Sequence, residues 1–185
     1  LGSTALFYFL VSHFSGFKTA ILAAFFFATI PYNVFYSSTI LPGPLMVFGI
    51  LGMYYSFVRW LEKERSWSWG IAAVLFANLA ILAWPIALFF TIPIIYLAYD
   101  KYGTSFYRRP NLIIFALLSI VPFLVWRLWM TQFPQGIPNW QFLLNEGSIR
   151  FKGAFFRWLI AERIGKLILT TAGFTLFIIG LIRRS

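Results

Sequence analysis

The chain has 185 residues, of which 61% are hydrophobic, 22% aromatic and only 11% charged, with a net charge of +10 and a mean hydropathy of +0.81. Soluble domains carry about 25% charged residues, so the composition excludes an ordinary water-soluble fold and points to an all-α, polytopic integral membrane protein. The absence of cysteine excludes disulfides and thiolate chemistry. A charge of +10 on a soluble chain would suggest nucleic acid; here the basic residues flank apolar runs, so membrane orientation explains them and no nucleic-acid partner is expected.

In chain order, residues 1–14 form the end of one span, 19–35 a second and 45–61 a third. The chain opens at Leu1 with the apolar run already under way, which reads as an internal piece of a larger polytopic protein. Residues 69–99 would measure ~46 Å as one helix, so the run is either a single helix kinked at Pro85 or two helices turning at Trp84-Pro85. One span would put the basic loops 59–65 and 101–109 on opposite sides of the bilayer. The hairpin keeps both inside and is the reading adopted, with each arm expected to be ~21 Å, short of the ~30 Å hydrocarbon core. Residues 111–130 cross again, 132–166 form a long extracytoplasmic loop with short helices, and 167–182 close the chain.

The expectation is thus about seven membrane segments, with residues 1–185 forming part of one integral membrane domain. Lys18, Arg59, Lys63, Arg65, Lys101, Arg108, Arg109, Arg183 and Arg184 fall inside. Residues 36–44, the Trp84-Pro85 turn and 132–166 fall outside.

Only five acids exist: Glu62, Glu64, Asp100, Glu146 and Glu162. The first three read as solvated charge in inside loops, and no two carboxylates sit where an acid and a base could flank a substrate. His13 has no cysteine or second histidine beside it and reads as an interfacial side chain, not a metal ligand. There is no glycine-rich phosphate loop and no serine elbow, so no catalytic residue and no cofactor can be assigned.

The informative residues are cations. The outer loop holds Arg150, Lys152, Arg157, Arg163 and Lys166 among aromatics, on the face where cationic loops are uncommon. Arg127 lies ~24 Å along its helix from Asn111, near the outer surface, where it can snorkel between Trp126 and Trp129 or meet a lipid phosphate. On a wheel drawn over residues 150–166, Arg157 falls near Arg150, while Lys152, Arg163 and Lys166 lie opposite. No clean apolar stripe separates them, so the expectation is a segment wedged between membrane and protein, not a simple surface-lying amphipathic helix. The bland account of these cations is headgroup attraction with a helical Glu162–Lys166 pair; the sharper one is recognition of a specific phosphate.

The run Pro31-Tyr-Asn-Val-Phe-Tyr-Ser-Ser-Thr-Ile-Leu-Pro-Gly-Pro-Leu-Met46 resembles a segment of the GT-C superfamily of multi-span glycosyltransferases, which includes the protein O-mannosyltransferases and the lipid A aminoarabinose transferase. Phe133-Pro-Gln-Gly-Ile-Pro138, Ile149-Arg-Phe-Lys152, Phe155-Phe-Arg-Trp158 and Glu162-Arg-Ile-Gly-Lys166 are similar to bacterial members. The resemblance implies a bacterial plasma-membrane enzyme moving a sugar from a polyprenyl-phosphate donor to an acceptor on the extracytoplasmic side. It also implies that the catalytic Asp lies in an external loop before the matched region, outside this chain. Arg150, Lys152, Arg157, Arg163, Lys166 and Arg127 would then hold the donor phosphate. Two positions depart from the pattern: Gly43 stands where many relatives have an acid, and Trp84 where many have a base. The rival expectation is a piece of a transporter or flippase for a lipid-linked or anionic solute. A third is a structural membrane subunit.

Overall fold

The computed structural model describes residues 1–38, 41–63, 66–133 and 151–182. Among these the chain is all-α, with no strand. Two compact units emerge, one from Leu1–Ala28 with Thr39–Gln132, the other from Thr29–Ser38 with Phe133–Ser185.

The first unit is built on α4 (Pro42–Glu62) and α5 (Trp67–Ala83), which run antiparallel. Gly49, Gly52 and Ser56 recur on one face of α4, and Gly70, Ala73, Ala77 and Ala80 on one face of α5, at the three- and four-residue steps of a helix stripe. In lipid no hydrophobic force draws two apolar helices together, so close backbone approach and dispersion must do it, and small residues permit that approach. At Gly49 the approach is to backbone: a Cβ there would lie 2.8 Å from the Ala80 nitrogen and 2.9 Å from its Cβ, while one at Gly52 would meet the Phe76 ring. Around this seam Met53, Phe57, Trp60 and Leu61 are buried. Phe115 packs on both Phe57 and Trp60, with ring centroids 5.1 and 6.0 Å away.

The break at Trp84-Pro85 occurs where the sequence places it. α5 ends at Ala83 and Pro85, lacking an N–H, opens a 3-10 helix (Pro85–Thr91) that leads into α6 (Ile92–Tyr102). The chain then returns along α4. The Tyr54 hydroxyl donates to the Phe90 carbonyl at 2.7 Å, Ile94 and Ala98 join the core around Phe57, and Tyr102 reaches Trp60 and Leu61. Gly70, at the start of the outgoing arm, also abuts Trp60, with a Cβ there 3.1 Å from the indole. The excursion is therefore a hairpin. Its arms are longer than expected. The 17 residues of α5 give about 25 Å, and the 7-residue 3-10 stretch plus the 11 residues of α6 give about 30 Å, because 3-10 winding rises faster per residue.

A second 3-10 helix (Gly103–Arg108) leads to α7 (Pro110–Met130), which packs along α5. The contact is locked by chemistry specific to proline. Pro122 cannot donate to the Leu118 carbonyl four residues earlier, and Asn78 Nδ2 fills the vacancy at 3.0 Å while also donating to Val74 O at 2.9 Å. α1 (Gly2–Ser15) runs parallel to α4, from Gly2 beside Phe48 to His13 Nε2, 3.4 Å from Glu62 Oε1. Glu62 also takes Arg59 Nη1 at 3.2 Å. It closes α4 and Asp100 sits within α6, so neither is a loop residue. Glu64, Arg65, Arg183 and Arg184 lie outside the described residues.

Two further runs depart from expectation. Residues 19–35 do not make one helix: α2 (Phe17–Thr29) stops before Pro31, which opens the separate α3 (Pro31–Ser37) because its ring would clash with an uninterrupted helix. Residues 167–182 also divide. Ile168 ends one helix, Thr170 adopts φ 61°, and α9 (Thr170–Ile182) leaves at 106° to the preceding helical segment. Among the described residues two helices, α4 and α7, can each cross a bilayer by length and composition, and a third segment qualifies if the bent pair counts as one. Each 21-residue helix spans about 31 Å, enough for a hydrocarbon core.

Two outcomes test this packing. Gly49→Val should destabilise the protein by about 1–3 kcal/mol, because the group in its way is backbone and cannot swing aside; chemical unfolding in detergent measures it. Asn78→Leu should cost about 1 kcal/mol alone and much less in a Pro122→Ala background, where a restored N–H satisfies Leu118; a double-mutant cycle reads the difference.

Candidate functional site

In the second unit, α8 (Gly153–Arg157) runs into a π-helix (Trp158–Ile168), and α3 packs against that π-helix. The helical segment starts at Gly153, after Lys152, whose carbonyl accepts the Phe155 N–H at 2.9 Å. A wheel begun at Arg150 therefore mixes extended and helical residues. Within Trp158–Ile168 burial is uneven, although the apolar Trp158 and Ile160 are themselves exposed. Leu159, Ile164, Gly165 and Ile168 turn inward, and Glu162, Arg163 and Lys166 turn outward.

The π winding has a chemical consequence. Its bonds run from i to i+5, as in the Leu169 N–H to Ile164 carbonyl bond of 3.0 Å, so residues five apart are brought onto one face. In an α-helix Trp158 and Arg163 would point ~140° apart. Here the Arg163 guanidinium carbon lies 4.4 Å from the centre of the Trp158 ring. Such a contact is worth about 0.5–1 kcal/mol at an exposed position and holds the guanidinium in place while its five N–H donors remain at its edge. On the facing helix, Tyr32 lies within electrostatic reach of Arg163 and packs on Tyr36 with ring centroids 4.3 Å apart.

The other predicted cations differ from Arg163. Lys166 Nζ sits 2.9 Å from Glu162 Oε1, the i,i+4 pair read from the sequence, so its charge is balanced locally. Arg157 is exposed in the last turn of α8, and Lys152 is exposed just before it. Arg150 and Glu146 lie outside the described residues. Arg127 belongs to the first unit, half-buried in the last turn of α7 between exposed Trp126 and Trp129, where a cation complements the helix dipole. The two positions that depart from the glycosyltransferase pattern meet one another: a Cβ on Gly43 would lie 3.6 Å from the Trp84 ring. Trp158 and Tyr32 lie in the runs that carry the resemblance, but the sequence singles out neither as a neighbour of Arg163. The signal for Trp158 is its five-residue spacing from Arg163, which only π winding makes meaningful; Tyr32 has none, being more than a hundred residues away.

Comparison with protein-family profiles, with curated proteins and with solved structures finds no match for this chain. Removing the aromatic support is the direct test of this geometry. Trp158→Leu should weaken binding of a phosphate-bearing lipid to vesicle-reconstituted protein by a few-fold, as Arg163 loses an orienting contact of about 0.5–1 kcal/mol. Lys166→Ala should change it less.

Proposed function

We propose that this chain is part of a membrane-embedded glycosyltransferase that takes a sugar from a polyprenyl-phosphate donor on the extracytoplasmic side, in an arrangement of about seven membrane segments. The observation that carries the proposal is the Arg163–Trp158 pair, on the helix against which α3 packs. The stretches around residues 31–38 and 151–166, both of which carry the resemblance, come together in one unit.

In this reading Arg163 is the principal contact for the donor phosphate. As the glycosidic bond breaks, negative charge grows on the departing phosphate, and a guanidinium already positioned there stabilises that charge with little reorganisation. Lys152 and Arg157 raise the local positive potential, Lys166 is offset by Glu162, and Arg127 is a further cation for the membrane surface. Glu162 is committed to Lys166, and its role is to hold that side chain.

A transporter of a lipid-linked anionic solute is the competing reading. The 106° break beside the cationic helix is the observation on its side, since discontinuous helices line transport sites. Purified protein in vesicles separates the two: the transferase consumes donor and forms glycosylated acceptor, whereas a transporter moves labelled solute without chemistry.

Alanine substitutions across Lys152, Arg157, Arg163 and Lys166 in the full-length protein should have unequal effects on sugar transfer. Arg163→Ala should lose ~10²-fold or more in turnover, the scale of a lost transition-state donor. Arg163→Lys should also be impaired, because a point charge cannot reproduce the fork, and Glu162→Gln should keep measurable turnover. Equal, mild losses at all four positions would leave only bulk attraction to anionic lipid, about 1 kcal/mol per cation. For topology, single cysteines at Ser66 and Thr104 should both resist an impermeant thiol reagent applied outside intact cells. Labelling of one of them would overturn the seven-segment arrangement.

A further inference from the structure

The Trp60 end of the first unit holds a feature that the glycosyltransferase reading does not use. A cavity of about 190 Å³ is lined by Trp60, Leu61, Tyr102, Arg109, Asn111 and neighbours. The Tyr102 ring carries cations: the Arg109 guanidinium carbon is 4.7 Å from its centroid and Lys101 Nζ is 5.4 Å from it. Sharing Trp60 and Asn111 with this cavity is a second one of about 150 Å³, an apolar groove between α5 and α7 walled by Ile71, Val74, Leu75, Ile114 and Leu118. The groove starts where the polar cavity ends and follows both helices toward the middle of the unit. Its wall residues Ile71, Leu75 and Leu118 are more than half exposed.

We infer that these two neighbouring cavities bind one anionic phospholipid, with its phosphate against Arg109 and an acyl chain in the α5–α7 groove. Three properties select this occupant. The polar cavity is lined by Arg109 and by aromatic rings, with Lys101 on the Tyr102 ring, while the nearest acid in sequence, Glu62, is exposed and already paired with Arg59 and His13, so an anionic group is favoured over a zwitterionic one. Trp60 stands at the junction, where an amphipathic ring suits the boundary between headgroup and chain. An apolar groove in continuity with the charged cavity has no use for a free inorganic anion, but it matches a molecule with a head and a tail. The site belongs to the unit's cationic end, with Arg59 and Lys63 near Trp60 on α4. It stands independently of the sugar-transfer proposal.

The test is native mass spectrometry of the full chain, released from vesicles of mixed phosphatidylglycerol and phosphatidylcholine. One retained phosphatidylglycerol per chain is expected, in preference to phosphatidylcholine. Arg109→Gln should reduce retention about fivefold, and Ile114→Trp, which fills the groove, should reduce it similarly. Arg108→Gln should leave it unchanged, because Arg108 stacks on Tyr107 outside the cavity. Leu118→Trp supplies a second groove block if Ile114→Trp fails to fold, as judged by elution and thermal unfolding. Equal retention of both lipids, or retention indifferent to Arg109→Gln, overturns the inference. Displacement by millimolar inorganic phosphate with no effect of either groove variant also overturns it, and assigns the cavity to a free anion instead.

Discussion

Everything in the first unit depends on how closely α4 and α5 approach. Lipid offers these apolar helices no hydrophobic reason to associate, so the seam of Gly49, Gly52 and Ser56 against Gly70, Ala73, Ala77 and Ala80 must hold by contact alone. Contact at that range leaves no room for a methyl group at Gly49, which fixes the register of the two helices to within a residue. Once register is fixed, the remaining elements have defined places to dock. Gly43 meets Trp84 at one end, Gly70 meets Trp60 at the other, and α6 returns along α4 through Tyr54 and Phe57.

Departures from regular winding do chemical work in both units. Pro122 removes a donor from α7, and the exposed carbonyl becomes the anchor for Asn78 of α5, turning a local defect into an interhelical bond. The π-helix shifts the turn from roughly four residues to five and so brings Arg163 over Trp158. The 3-10 stretch after Pro85 stretches a short apolar run until it covers about the thickness of a hydrocarbon core. In each case one backbone irregularity places a side chain where an ideal helix would not.

The charges follow the same architecture. Within the first unit, Arg59, Lys63, Lys101, Arg108 and Arg109 gather at the end that holds Trp60 and Tyr102, although they come from two stretches separated by the whole hairpin. Arg127 stands at the far end of α7. Gathering cations against aromatic rings limits mutual repulsion, since Arg59 lies over Trp69, Arg108 over Tyr107 and Arg109 over Tyr102. It also leaves each end of the unit with a distinct potential for anionic lipid. In the second unit the cations are unequal: Lys166 is offset by Glu162, while Arg163 is held by a ring that leaves its charge in place.

Composition and periodicity by themselves determined the helical class, α7 to within a residue, α4 to within three, the break at Trp84-Pro85 and the Glu162–Lys166 pair. These are local properties: apolar length, a missing N–H, an i,i+4 spacing. The positive-inside rule also selected the hairpin over a single kinked helix, because a charge imbalance between loops is written in the chain. The glycine and alanine stripes and the Asn78–Pro122 combination were equally present in the sequence, but each half becomes informative only opposite the other. The break in residues 19–35 at Pro31 is local in the same way as the one at Pro85, whereas tertiary structure alone decided that residues 167–182 would break, that Trp158 would support Arg163, and that α3 would pack on their helix from more than a hundred residues away. It alone joined a polar cavity at Arg109 to an apolar groove at Ile114. The physical reason is common to all of these: winding and long-range packing depend on which surfaces meet, and no single window of sequence contains both surfaces.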